Sequence, residues 1–151
     1  MRLDHSALLV SDAEAARDFY VGVLGLEEIP RPSTFTFPGL WVAIGDRQLH
    51  LIAEAESGRA RATHPGYRPE ELATGYASHF ALEVEALEPF LAGVIQRGGV
   101  LVGGPRPRGD GVLQAYVTDP DGNVVELMQT GVAVTGEEPE IGTPQAGADY
   151  R

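Results

Sequence analysis

The sequence predicts an α+β fold of two βαβββ modules, related by a pseudo-twofold and forming a curved mixed-sheet cup. Three observations carry this prediction. The phrase HSALLV at 5–10 returns as HFALEV at 79–84, with four of six residues identical. Each phrase is followed by an amphipathic helical stripe and then by strand-like runs in the same order. A glycine stands twenty residues after each opening histidine, at Gly25 and at Gly99. Self-similarity at a period of about 75 residues is the signature of a duplicated structural unit. The modules fall at 1–55 and 77–130, with a connection at 56–76 and a tail at 131–151.

The first module opens on a strand at 5–10. Ser11 and Glu14 have the S-x-x-E spacing of a capping box, which satisfies free amides at a helix start. Ala16, Phe19, Tyr20, Val23 and Leu24 then recur at helical spacing, and Gly25 stands where a helix stops. Runs at 26–29, 34–37, 40–45 and 47–53 read as strands, with Gly45-Asp46 as a hairpin turn. In the second module 79–84 is the opening strand. Leu87, Phe90, Leu91, Val94 and Ile95 form the helical stripe, ended by Gly98-Gly99. Strands follow at 99–104, 112–118 and 123–129, with DPDGN at 119–123 as a turn. The connection at 56–76 is polar and carries Arg59, Arg61, His64 and Arg68. It reads as a surface linker or as a lid over a substrate. The tail is rich in Gly, Pro and acid, and reads as an arm or a disordered segment.

A chain of 151 residues suits one domain, or two small modules sharing a core. The formal net charge of −11 sets nucleic acid and anionic membrane surfaces aside as partners. It leaves a cation open. The absence of cysteine excludes disulfides, thiolate metal sites and cysteine nucleophiles. The first ten residues lack the apolar core of a signal peptide, and no run approaches the ~20 apolar residues of a membrane span. A cytoplasmic protein is expected.

Side chains alternate faces along a strand. At 79–84, Phe80, Leu82 and Val84 suit the face under the helix, which puts His79 on the cup face. At 5–10, Leu8 and Val10 go with the helix and His5 with the cup. Leu49 and Leu51 leave His50 facing the cup, and Val125 and Leu127 leave Glu126 there. His5 and His50 are 45 residues apart, and His79 and Glu126 are 47 apart. A single strand histidine is usually a satisfied or exposed residue, and Glu126 alone would suit a solvent-facing position. The matched spacing of all four sets them apart. Three imidazoles and one carboxylate suit a divalent first-row metal.

These residues also carry a family likeness. The phrases DHSALLVSDAEAARDFYVGVLGLEE, RQLHLI, SHFALEV and YVTDPDGNVVELMQ resemble the vicinal-oxygen-chelate superfamily, which includes glyoxalase I, methylmalonyl-CoA epimerase, extradiol dioxygenases and antibiotic resistance proteins. The resemblance covers about residues 3–130. It implies that His5, His79 and Glu126 bind a divalent metal (Zn, Ni, Fe, Mn or Co). It places His50 at a fourth ligand position, usually Glu or Gln in glyoxalase-like members. His50 could then be a ligand, a base or a neighbour. Tyr116, ten residues before Glu126, resembles a tyrosine that assists substrate binding, or is a cross-strand packing residue. Trp41, Phe35 and Phe37 read as core or as an apolar substrate wall.

The resemblance implies a metal-dependent lyase, isomerase or epimerase acting on a small oxygen-chelating substrate. In that reading Glu126 or His50 is the base. If only His5, His79 and Glu126 bind, the set suits ferrous dioxygenase chemistry. Metal-free binding of an antibiotic, as in resistance members, is the reading from another class. A homodimer is expected, either side by side or with modules swapped. In the swapped form His5 and His50 of one chain meet His79 and Glu126 of the other.

Overall fold

Strand β1 (His5–Val10) alternates exposed and partly buried residues from His5 to Leu8 and ends on the buried Val10. The computed structural model describes residues 1–147, so 148–151 of the predicted tail lie outside the described residues. The chain divides into two units, Met1–Pro65 with Asp119–Gly122, and Gly66–Thr118 with the described residues from Asn123 onward.

In the first unit, β1 leads into α1 (Ala13–Arg17), which continues as a π-helical turn over Asp18–Val23. Strands β2 (Glu27–Ile29), β3 (Gly39–Ile44) and β4 (Arg47–Ala53) follow, then α2 (Arg59–Thr63). The sheet order is β1-β4-β3-β2, with β1 and β4 parallel and the other pairs antiparallel. The helical crossover accounts for the parallel pair, and the tight turn at Gly45 for the antiparallel one. Val10, Tyr20, Leu40, Val42, Leu49 and Leu51 are all but fully buried in its core. Each such aliphatic side chain contributes roughly 1.5–3 kcal/mol by leaving water.

Two local expectations are corrected. The helix cap is Asp12 rather than Ser11, since the Asp12 Oδ1 accepts from the Ala15 amide at 2.7 Å. Its negative charge also suits the positive end of the helix. The Ser11 amide instead donates to Asp121 at 3.0 Å. The run at 34–37 is a loop. Pro30, Pro32 and Pro38 surround it and remove the amides a strand would need. The Arg31 guanidinium holds this loop by donating to the carbonyls of Phe35 (2.7 Å) and Phe37 (2.5 Å).

The turn at Asp119–Gly122 packs within the first unit, where the buried Tyr20 hydroxyl donates to Asp119 Oδ2 at 2.8 Å. Asp119 Oδ1 also accepts from the Asp121 amide at 2.9 Å. Removing that carboxylate strands a buried phenol. Asp119→Ala is therefore expected to cost about 3 kcal/mol, read as a lower urea midpoint at unchanged slope.

In the second unit, α3 (Pro69–Thr74) precedes β5 (His79–Glu83), α4 (Leu87–Gln96), β6 (Val100–Pro107), β7 (Leu113–Thr118) and β8 (Val124–Gln129). The order is β5-β8-β7-β6, again with a parallel first pair. Each half therefore presents the predicted βαβββ order, and the α+β class holds. Leu87, Leu91 and Val94 form the buried face of α4. Ile95, expected in that stripe, lies off this face and is 48 % exposed.

The connection at 56–76 carries α2 and α3. Its second half packs closely on the second sheet. A Cβ on Gly75 would run into the Tyr116 ring, and one on Gly103 would strike the Ala73 backbone. The Thr74 carbonyl accepts from Arg106 at 2.6 Å. The tail has no regular element among its described residues. Val132 donates to the Gly111 carbonyl and Gly147 to Glu70, each at 3.0 Å. No helix among the described residues is long and apolar enough to cross a membrane.

Candidate functional site

Strand register carries the duplication into the predicted site. In the parallel pairs Ala7 faces His50, and Ala81 faces Glu126. In the antiparallel pairs Trp41 faces His50, and Tyr116 faces Glu126. His50 and Glu126 thus occupy one slot of the repeat, and Trp41 and Tyr116 another. His5 and His79 open the first strand of each unit.

The first unit brings His5 and His50 together as stacked rings, 4.1 Å between centroids and 13° between planes. Trp41 stacks on His50 at 3.8 Å and 3°. Two parallel rings this close cannot share one face of an imidazole, so His50 lies between them. His5 Nδ1 is 2.9 Å from Asp4 Oδ2, which leaves Nε2 as its second nitrogen. His50 Nε2 is 2.9 Å from Gln48 Oε1. Burial, and then the neighbouring His5, push the His50 pKa below its ordinary value, so this ring is neutral at pH 7.

The second unit brings His79, Glu126 and Tyr116 together. His79 Nδ1 lies 2.7 Å from the Ala77 carbonyl, which can only accept, so this nitrogen carries the proton. His79 Nε2 faces Glu126 Oε2 at 3.0 Å. A lone pair and a carboxylate oxygen meet at that distance only with a proton or a cation between them. Glu126 is 4 % exposed, and its Oε1 has no hydrogen-bond partner. The Arg108 Nη1, 3.5 Å away, supplies charge attraction without a hydrogen bond. A buried acceptor left this way is costly unless something occupies it. His79 and Glu126 offer two donors of the types that hold a divalent ion.

Tyr116 is buried, with its ring 5.6 Å from that of His79 at 72°. Burial, and then the Glu126 charge, push its phenol pKa up, against the opposing charges of Arg106 and Arg108. A shallow cavity of about 420 Å³ lies beside these residues, lined by Tyr67, Gly75, Tyr76, Ala77 and Ser78. Sequence reasoning missed Asp4, the Gln48 hydrogen bond and Arg108. The first two carried a signal, since Asp4 adjoins His5 and Gln48 shares the face of His50. Among the described residues, no three His, Asp or Glu side chains gather as a metal-holding group. Each unit supplies one pair of donors.

The sequence model of the Glyoxalase/Bleomycin resistance protein/Dioxygenase superfamily matches residues 2–127. The chain belongs to this superfamily. It is 34 % identical, over 134 residues, to a lactoylglutathione lyase of Neisseria meningitidis, covering 85 % of this chain and 91 % of that protein. Among solved structures it is similar to a glyoxalase family protein from Bacillus anthracis. That match has a TM-score of 0.67 and 26 % identity, over 86 % of this chain and 95 % of the other. It is also similar to an antibiotic binding protein from Streptomyces sp. CB03234. There the TM-score is 0.62 at 27 % identity, over 86 % and 96 % of the two chains. As a glyoxalase-superfamily member, the chain has the fold that its doubled phrase predicted.

Proposed function

We propose that this glyoxalase-superfamily protein is a divalent-metal-dependent lyase, isomerase or epimerase acting on a small substrate that chelates through adjacent oxygens. The metal donors are His5, His50, His79 and Glu126. The observation that carries this reading is the buried Glu126, with one oxygen facing His79 Nε2 and the other lacking a hydrogen bond. The similarity to a lactoylglutathione lyase supports the reaction class.

The bound ion would supply Lewis acidity, stabilising negative charge on a substrate oxygen. The chain's own residues do the rest. Asp4 and the Ala77 carbonyl hold the outer nitrogens of His5 and His79 and so orient both rings. Tyr116, kept protonated by burial, can donate to an oxygen as charge develops on it. Glu126 and His50 are the candidate bases for moving a proton next to a carbonyl. The proposed assembly is a homodimer, either side by side or with modules swapped.

The test is metal analysis of protein purified without chelator. About one divalent ion per chain is expected, and both His79→Ala and Glu126→Ala lose it while remaining folded by circular dichroism. A metal-free wild type would overturn the reading and favour a binding protein. That second reading has its own support in the half-exposed Phe35 and Phe37, beside the stacked Trp41.

A further inference from the structure

The sequence leaves the connection at 56–76 as a linker or a lid, and its second half has the packing of a lid. The Tyr67 hydroxyl accepts from the Ser78 amide at 2.8 Å, so residues 67–78 close on themselves as a surface loop. Compact loops with joined ends are frequently functional. This one carries α3, bounded by Gly66 (φ 70°) and Gly75 (φ 72°), a left-handed backbone that glycine adopts readily. Its underside meets the second sheet through backbone, with the Ala73 main chain over Gly103 and Gly75 over the Tyr116 ring. Thr74 is the one buried residue of α3, and its hydroxyl turns back to the Glu70 carbonyl at 2.9 Å. By contrast, α4 buries Leu87, Leu91 and Val94. An element that buries so little apolar side chain belongs to the low-stability end of a fold.

A polar contact holds the loop down. Arg106 Nη2 donates to the Thr74 carbonyl at 2.6 Å, where the last carbonyls of α3 present partial negative charge. This latch is imperfect. Arg106 Nε is buried without a hydrogen-bond partner, and a charged group's donor left so is costly while the loop is closed. Opening admits water to it. Beneath the loop lies Tyr116, 3 % exposed and paired in register with Glu126. The cavity lined by Tyr67, Gly75, Tyr76, Ala77 and Ser78 follows the C-terminal limb of the loop, where Gly75 meets the Tyr116 ring.

We propose that residues 67–78 are a gate over Tyr116, latched by Arg106, and that the gate opens without unfolding the sheet beneath it. Closed, Gly75 covers the phenol. Open, Tyr116 is accessible to a small molecule. The gate rests on packing within the second unit and needs no metal; only its service to catalysis rests on the proposed role of Tyr116. A permanent cover is the competing role for the loop, and it makes a different prediction. Under a permanent cover, Tyr116 is reached only when β7 and β8 unfold.

The experiment nitrates the full chain with tetranitromethane, maps the modified tyrosines, and follows amide exchange in β7 and β8 in parallel. In wild type Tyr116 is expected to react while the β7 and β8 amides stay protected. Arg106→Gln should raise the Tyr116 rate roughly 10- to 100-fold, the range for a hydrogen bond to a charged group, with that protection kept. The Arg106 charge lowers the phenol pKa, so its loss alone would slow nitration rather than speed it. Arg106→Lys should fall between, because it keeps the charge and loses the planar fork. Tyr67→Phe keeps Arg106 and frees the base of the loop, and should raise the rate roughly 2- to 10-fold, the range for an uncharged hydrogen bond. Tyr116 that reacts only as β7 and β8 lose protection overturns the gate, as does an unchanged rate in Tyr67→Phe. Metal analysis is a separate readout. A metal-free protein with a working gate overturns the proposed function alone, and a metal-loaded protein with a fixed cover overturns the gate alone.

Discussion

Glu126→Gln is expected to weaken divalent-metal binding by more than about 100-fold while leaving the metal-free fold intact. Losing even an outer partner of a metal ligand costs about 10- to 100-fold, and the proposed site puts Glu126 in direct contact with the ion. The amide keeps the shape of the carboxylate and removes its charge. It also suits its neighbour in the metal-free protein. With Nδ1 held by the Ala77 carbonyl, a neutral His79 presents an Nε2 lone pair that the substituted side-chain amide can meet as a donor. The fold therefore loses little, and the Arg108 charge contact at 3.5 Å was already long. Two measurements separate the outcomes. A chelator should lower the melting temperature of metal-loaded wild type, since a ligand bound only to the native state stabilises it by mass action. The same chelator should not move the variant. If Glu126→Gln binds metal as wild type does, Glu126 is not a ligand, and its unpartnered oxygen needs another explanation.

Much of the fold was legible because it was written twice. The repeated phrase, the two helical stripes and the glycines at Gly25 and Gly99 each supported the other copy, and register places His50 and Glu126 in one slot. What was not legible depends on tertiary context. Strand alternation in NVVELM put Glu126 on the cup face, but that β8 lies inside its sheet and that Glu126 is buried there depend on the neighbouring strands. The aromatic alternation at 34–37 is strand-like, but its flanking prolines and the Arg31 hydrogen bonds make it a loop. Ser11 and Glu14 match a capping box, but Asp12 lies one residue closer to the helix and takes the cap. Arg108 and Asp110, two residues apart in a polar turn, look like a solvated surface. The fold adds a charge contact with the buried Glu126 at 3.5 Å, which the sequence spacing does not show.

His50→Ala is expected to weaken metal binding roughly 10- to 100-fold and to cost about 1 kcal/mol of stability, without unfolding the protein. The stability cost comes from its two ring contacts, with His5 and with Trp41. The affinity cost is the part that decides its role. In the described geometry His50 is neutral, as a ligand must be, but its Nε2 is engaged by Gln48. Ligation through that nitrogen requires Gln48 to let go. Trp41 is the chain's single tryptophan and lies flat on His50, so its fluorescence reports that exchange without a label. Metal should change the Trp41 emission of wild type, and His50→Ala should lose that response along with affinity. His50→Glu, which restores the residue type common at this slot in glyoxalase-like relatives, should recover affinity but not the stacked-ring response. If His50→Ala keeps its metal affinity, three donors remain: His5, His79 and Glu126. Two imidazoles and one carboxylate leave three positions open on an octahedral ion rather than two. That change would move the favoured chemistry from proton transfer towards oxygen activation.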